Sequence, residues 1–109
     1  MWVFTIDGFY SAVQHHDQPN DLMVRARDRN DLVRMQQRAA NDAPISHTPA
    51  GDYAYRITMS KSAWAAYLTS ATEAIDYSNF KSAVAERLGH DRADLYLDVW
   101  ATMLGLQKT

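Results

Sequence analysis

The chain has 109 residues, of which 47% are hydrophobic and 22% charged, which is the composition of an ordinary compact soluble domain. Its 11 basic and 13 acidic residues leave a net charge of −2, so it has no general attraction for phosphate backbones or anionic lipid. Because it contains no cysteine, the composition excludes a disulfide framework, a thiolate zinc site, an iron–sulfur cluster and a cysteine nucleophile.

The first fourteen residues predict a β-hairpin. Two apolar runs of alternating pattern flank Asp7 and Gly8, and an Asp-Gly pair tolerates the positive φ angles of a two-residue type I′ turn. A third strand is predicted over 22–27, where Val24 and Ala26 fall on one face and the intervening arginines on the other.

A helix and a long loop follow these strands. Asp28 is placed to cap a helix of about three turns, since an aspartate side chain accepts hydrogen bonds from the first free amides. The prolines and the glycine between Ala40 and Asp52 predict an irregular loop. The alternation over 53–59 predicts a fourth strand, with Tyr53 on the same face as Ile57.

Three more helices are predicted. Ser60 is placed to cap the first, whose apolar stripe runs from Trp64 to Ile75, and an Asp or Ser cap within 76–79 starts the second, which ends at Gly89. The last helix is apolar over more than half its circumference and needs two neighbours. A right-handed crossover would place the first helix of the chain on one sheet face, and the others should cover the same face. The predicted fold is one two-layer α+β domain over 1–109 with a four-stranded, mainly antiparallel sheet.

The sheet face opposite the helices is the leading candidate for a binding surface. Guanidinium groups on neighbouring strands repel one another unless an anion, a carboxylate or a partner surface compensates them. The alternative is that Asp17, Asp28 or Asp52 pairs with them and leaves a solvated face. The predicted binding residues are Tyr10, Arg25, Arg27 and Arg56. Tyr10 belongs to this face only if the strand register places it there.

Catalytic and metal signals are weak. His15, His16 and Asp17 resemble a metal cluster, but neighbouring strand residues point to opposite faces, so no metal and no cofactor are expected. No serine lies in a nucleophile elbow and no glycine-rich phosphate loop is present. An enzyme that uses one of these histidines, Asp17 and an arginine on an anionic small molecule remains an alternative. The polar segment 76–81 is interpreted as a helix–helix connection rather than an active-site loop.

Several stretches resemble a family of short uncharacterised bacterial and phage proteins. They are Met1–Thr5, Gly8–His15, Val24–Arg27, Asp52–Arg56, Ile75–Lys81 and Val99–Met103. The resemblance spans nearly the whole chain and implies a bacterial or phage intracellular origin. It implies no reaction, ligand or functional residue.

The favoured function is that of a small cytoplasmic protein-interaction or regulatory module without catalytic activity. Its protein partner would contact the open sheet face, the 42–52 loop or the last helix. The alternative is binding of single-stranded nucleic acid or an anionic ligand on the open sheet face, where aromatic and arginine side chains can stack and pair. No membrane association is expected, because no apolar run approaches the ~20 residues that span a bilayer. Self-association is left open.

Overall fold

The computed structural model describes residues 1–107 and shows an α+β protein with an open antiparallel sheet. The predicted fold class is therefore confirmed. The chain divides into two compact units, which we call the sheet unit (Met1–Ile75) and the helical unit (Asp76–Thr109).

The sheet unit contains five strands and two helices. Their bounds are β1 (Trp2–Phe4), β2 (Phe9–Gln14), β3 (Asp21–Ala26), α1 (Arg29–Ala39), β4 (Ser46–His47), β5 (Tyr55–Ser60) and α2 (Lys61–Glu73). The strand order is β1-β2-β3-β5-β4, and each neighbouring pair is antiparallel.

The predicted count of four strands is wrong, because Ser46 and His47 of the predicted loop form β4 and pair with β5. The predicted crossover through α1 does occur, but it leads to β4. Since β3 and β4 each pair antiparallel with β5, which lies between them, they run parallel to each other, and α1 connects them across the sheet.

Both predicted helix caps of the sheet unit are confirmed. The Asp28 carboxylate accepts a hydrogen bond from the Asn30 amide at 2.9 Å, and the Ser60 hydroxyl accepts one from the Ala63 amide at 3.1 Å. The stripe of α2 is shorter than predicted, because the helix ends at Glu73 and Ile75 is exposed.

The core of the sheet unit lies between one sheet face and the two helices. The predicted inner face is confirmed: Val24, Ala26 and Ile57 are buried in one cluster with side chains of α1 and α2. The helical contribution is Leu32, Met35, Trp64 and Tyr67. The outer face of the sheet carries the alternate residues of each strand.

The first hairpin forms as predicted, but its turn does not. Phe4 pairs with Phe9, so the connection has four residues, and neither Asp7 nor Gly8 has a positive φ. Gly8 is needed for a different reason: a Cβ atom there would lie 2.3 Å from Cγ of Asp31, far inside van der Waals contact.

The helical unit contains α3 (Phe80–Leu88), α4 (His90–Met103) and a short 3₁₀ turn (Leu104–Leu106). The predicted stop at Gly89 is confirmed, with a φ of 98° that favours glycine. The cap of α3 is Asn79, whose side chain accepts a hydrogen bond from the Ser82 amide, and not the expected Asp or Ser. None of the helices within residues 1–107 combines the length and the apolar character needed to cross a bilayer.

Candidate binding surfaces

Strand register brings three of the four predicted binding residues together on the outer sheet face. Arg25 pairs with Ser11 on one side and with Arg56 on the other. Arg27 follows β3 and shares a contact with Arg25, because the two guanidinium carbons lie 4.8 and 4.6 Å from the centre of the Tyr53 ring. We call Arg25, Arg27, Arg56 and Tyr53 the arginine face.

Tyr53 holds the arginines of this surface in place, a role that the sequence did not predict. It lies in a bend before β5, only 5% exposed, and its carbonyl oxygen accepts a hydrogen bond from Nη2 of Arg56 at 3.1 Å. Its expected place in the fourth strand, beside Ile57, is wrong. The alternation that predicted it ends where the bend begins, and the ring turns to the arginines, where the cationic groups interact with its π face.

The arginine face has no carboxylate of its own. Within residues 1–107, no acidic side chain lies at ion-pair distance from Arg25, Arg27 or Arg56. Nη2 of Arg25 donates to the buried hydroxyl of Ser11 at 2.8 Å, but the Nε atoms of Arg25 and Arg56 are buried without a hydrogen-bond partner.

The aspartates proposed to neutralise the arginines have other contacts. Asp17 pairs with His16, the Asp28 side chain caps α1, and the Asp52 carboxylate accepts from the Tyr53 amide. The arginine face therefore retains uncompensated positive charge in a partly desolvated setting, which is unfavourable for the fold alone.

Tyr10 does not belong to this surface, so its predicted place there is wrong. It alternates with Ser11 along β2 and is fully buried on the opposite face, where its hydroxyl donates to the carbonyl oxygen of Asp31 at 2.6 Å. Burial, with the nearby Tyr67 and two carboxylates, raises the pKa of Tyr10 far above its ordinary value.

A buried polar network joins the hairpin turn to both helices of the sheet unit. The sequence did not predict this network. Asp7 is 1% exposed, and its carboxylate receives Nε and Nη2 of Arg38 at 2.6 and 3.1 Å. The hydroxyl of Tyr67 donates to the same carboxylate at 2.8 Å and contacts the hydroxyl of Thr5 at 2.9 Å. Hydrogen bonding to Asp7 raises the pKa of Arg38, and burial raises that of Tyr67.

Asp31 holds the same turn from α1. Its carboxylate accepts from the Phe9 amide at 3.0 Å and from Nη2 of Arg34 at 2.5 Å, while Nε of Arg34 donates to the carbonyl oxygen of Asp7 at 2.7 Å. These donors converge on two buried carboxylates, so the network ties the turn to the helices. One sequence signal could have predicted this network. Arg34 and Arg38 follow Asp31 by three and seven positions, so all three lie on one side of a helix, where the arginines can also reach Asp7.

The histidine segment does not converge with the arginines. Because β2 ends at Gln14, His15 and His16 lie outside the strand and their rings stack at 4.7 Å, so the expectation that they point to opposite faces is wrong. Four residues of extended chain separate His15 from Ser11, the partner of Arg25, or about 13 Å. Within residues 1–107, no three His, Cys, Asp or Glu side chains are grouped so as to hold a metal ion.

The helical unit presents a second surface. Ala93 and Tyr96 of α4 are buried, but Trp100 and Met103, which continue the same stripe, are 62% and 53% exposed. The Phe80 ring, at the start of α3, stacks on the Tyr96 ring at 5.8 Å.

The later turns of α4 therefore extend past the amino-terminal end of α3, and with the 3₁₀ turn they form the surface that we call the α4 overhang. Its exposed apolar members are Val99, Trp100, Met103, Leu104 and Leu106.

The segment before α3 lines a shallow open depression with Asp76, Ser78 and Glu86 among its residues. Its Asn79 side chain caps the helix, as a helix–helix connection requires. Comparisons of the chain with protein-family models, with curated proteins and with solved structures found no match.

Proposed function

We propose that this chain is a small cytoplasmic protein-interaction or regulatory module of bacterial or phage origin, without catalytic activity. The observation that supports this function most directly is the α4 overhang, an apolar stripe that α3 covers at Tyr96 and leaves in water at Trp100 and Met103.

The composition of the α4 overhang suits a protein interface. Interface cores are enriched in aromatic residues and methionine and depleted in charged residues, and tryptophan is frequent among the residues that dominate binding energy. Burying one such side chain against a partner contributes about 1.5–3 kcal/mol. A partner with an apolar groove or helix would complete the stripe that α3 leaves open.

The test compares Trp100→Asp with Thr102→Asp, which places the same charge on the other side of α4. Cross-linking in bacterial cells that express the chain identifies the partner, and titration with the purified partner measures the affinity. Since removing a central anchor costs about 2 kcal/mol or more, we expect Trp100→Asp to weaken binding by more than about tenfold. We expect Thr102→Asp to remain close to the original chain.

Sedimentation across working concentrations tests whether the partner is a second copy. Absence of both a partner and self-association would remove the proposal, as would equal binding by the two variants.

A second candidate is binding of single-stranded nucleic acid or another anionic ligand on the arginine face. It is favoured by the three guanidinium groups, which form no ion pair with a carboxylate of residues 1–107, and by Trp2, which is exposed on the same sheet face. Titration with a labelled oligothymidylate should then show affinity that falls with salt, and no binding even at ~50 mM salt would exclude the nucleic-acid form of this candidate.

A further inference from the structure

We infer that the arginine face binds an acidic segment of a protein partner through its carboxylates. This inference rests on the proposed interaction function and concerns a different surface from the α4 overhang. Its starting point is the register of the sheet, which sets Arg25 directly opposite Arg56 on the neighbouring strand. Like charges in that position destabilise a sheet, so an anion bound there relieves a cost that the free protein carries.

The hydrogen-bonding capacity of these arginines is mostly unused. A guanidinium group has five N–H donors. Arg25 gives one hydrogen bond to Ser11, and Arg56 gives one to the Tyr53 carbonyl and another to the sulfur of Met23, a weak acceptor. Arg27 is exposed and donates to no acceptor within the described residues. The remaining N–H donors, including all of those of Arg27, can form the paired, charge-assisted bonds that arginine makes with a carboxylate.

The surface is also organised before any ligand arrives. The Tyr53 ring contacts the guanidinium groups of both Arg25 and Arg27, and its own backbone holds Arg56. Because the ring is 5% exposed, it is a fixed support for these long side chains. Ordering flexible side chains normally weakens binding, and here much of that ordering is already present.

An acidic peptide fits this surface better than a nucleic acid does. Binding of single strands depends on aromatic rings free to stack on successive bases. Here the Phe4 and Phe9 rings stack on each other at 4.5 Å, Tyr53 is buried, and Trp2 is the ring left largely exposed at 71%. The net charge of −2 adds no long-range attraction for a polyanion. Local carboxylate recognition needs neither feature.

The test is a titration of the full chain with a hexaglutamate peptide, followed by NMR through backbone amide and arginine Nε–H signals. Arg27→Gln is compared with Arg29→Gln, which removes the same charge from an exposed arginine of α1. Since charge-assisted pairs are the stronger hydrogen bonds, we expect Arg27→Gln to raise Kd at least about fivefold and Arg29→Gln to leave it within about twofold. Affinity should fall as salt is raised from about 50 to 300 mM.

Three results would overturn the inference: no shift at the arginine face with hexaglutamate, equal weakening by the two variants, or tighter binding of oligothymidylate than of hexaglutamate at the same signals. Arg27 is exposed, so its variant should fold, and circular dichroism checks this. The Trp100→Asp comparison is unaffected by any of these outcomes, so failure here is distinguishable from failure of the proposed function.

Discussion

Two groups of arginines in the sheet unit have opposite surroundings. Arg34 and Arg38 of α1 each reach a buried carboxylate, on Asp31 and Asp7 respectively. Those of the arginine face contact an aromatic ring, a hydroxyl, a carbonyl and a sulfur, and they form no ion pair with a carboxylate in the described part of the chain. The first group uses its charge to hold the fold together, whereas the second keeps its charge available.

The difference has a direct energetic consequence. A buried carboxylate that loses its partner is left desolvated and uncompensated, which is strongly destabilising. A partly exposed arginine without a counterion contributes little to stability, and its removal relieves repulsion between neighbours. Substituting one arginine from each group and comparing the changes in stability therefore shows which charge the fold needs and which it does not.

The largest expected effect is the contrast between Arg38→Gln and Arg56→Gln. Arg38→Gln removes an ion pair from Asp7, which is 1% exposed, and should lower the free energy of unfolding by about 3–5 kcal/mol. Arg56→Gln should change it by less than about 1 kcal/mol, because Arg56 forms no ion pair within residues 1–107. Urea unfolding followed by circular dichroism measures both. Equal losses would show that the two groups do not differ in role.

A smaller effect is expected at the close approach of the turn to α1. In Gly8→Ala, the new methyl group would overlap the side chain of Asp31, and overpacking of this kind costs about 1–3 kcal/mol. Gly105→Ala is the control, since a Cβ there meets nothing within 4 Å. Thermal unfolding measures the difference. A Gly8→Ala protein as stable as the original would mean that the turn moves away from α1 without cost.

The smallest effect at neutral pH concerns the buried tyrosines. Tyr10 and Tyr67 have pKa values raised above the ordinary 10.0, chiefly by burial. The folded protein therefore keeps phenol protons that the unfolded chain releases near pH 10, so their contribution to stability is complete below pH 10 and is lost as the pH rises above it.

We expect urea midpoints to fall between about pH 10 and pH 11, and to fall less steeply in Tyr67→Phe than in the control Tyr77→Phe. A midpoint independent of pH over this range, or the same slope in both variants, would contradict the burial of these phenols.

Most of the sheet unit followed from the sequence because its signals are local. Asp28 and Ser60 cap their helices through side chains two and three residues away from the amides they bind. The alternation of Val24 with Arg25 placed one in the core and the other on the outer face, and the same parity applied to Arg56. The arginine face was predictable in its cations for this reason.

What the sequence did not reveal depends on distant contacts or on exact register. Asp7 beside a glycine is typical of an exposed turn, and its burial depends on residues 31 and 60 positions away. The face of Tyr10 follows from pairing of Ser11 with Arg25, which alternation alone does not fix. The role of Tyr53 was not predicted, because a bend rather than a strand positions its ring.

The long sequence separations of the Asp7 contacts bear on the order in which this protein acquires its structure during synthesis. The turn at Asp7 is completed by Arg38 of α1 and then by Tyr67 of α2, so it is finished only after α2 has left the ribosome. Contacts between distant residues form slowly, since a large loop of chain must close first. The β1–β2 hairpin is translated before the helices that complete it, so it is among the last parts of the sheet unit to reach its native geometry, and a nascent chain stalled before α2 would carry this hairpin incomplete.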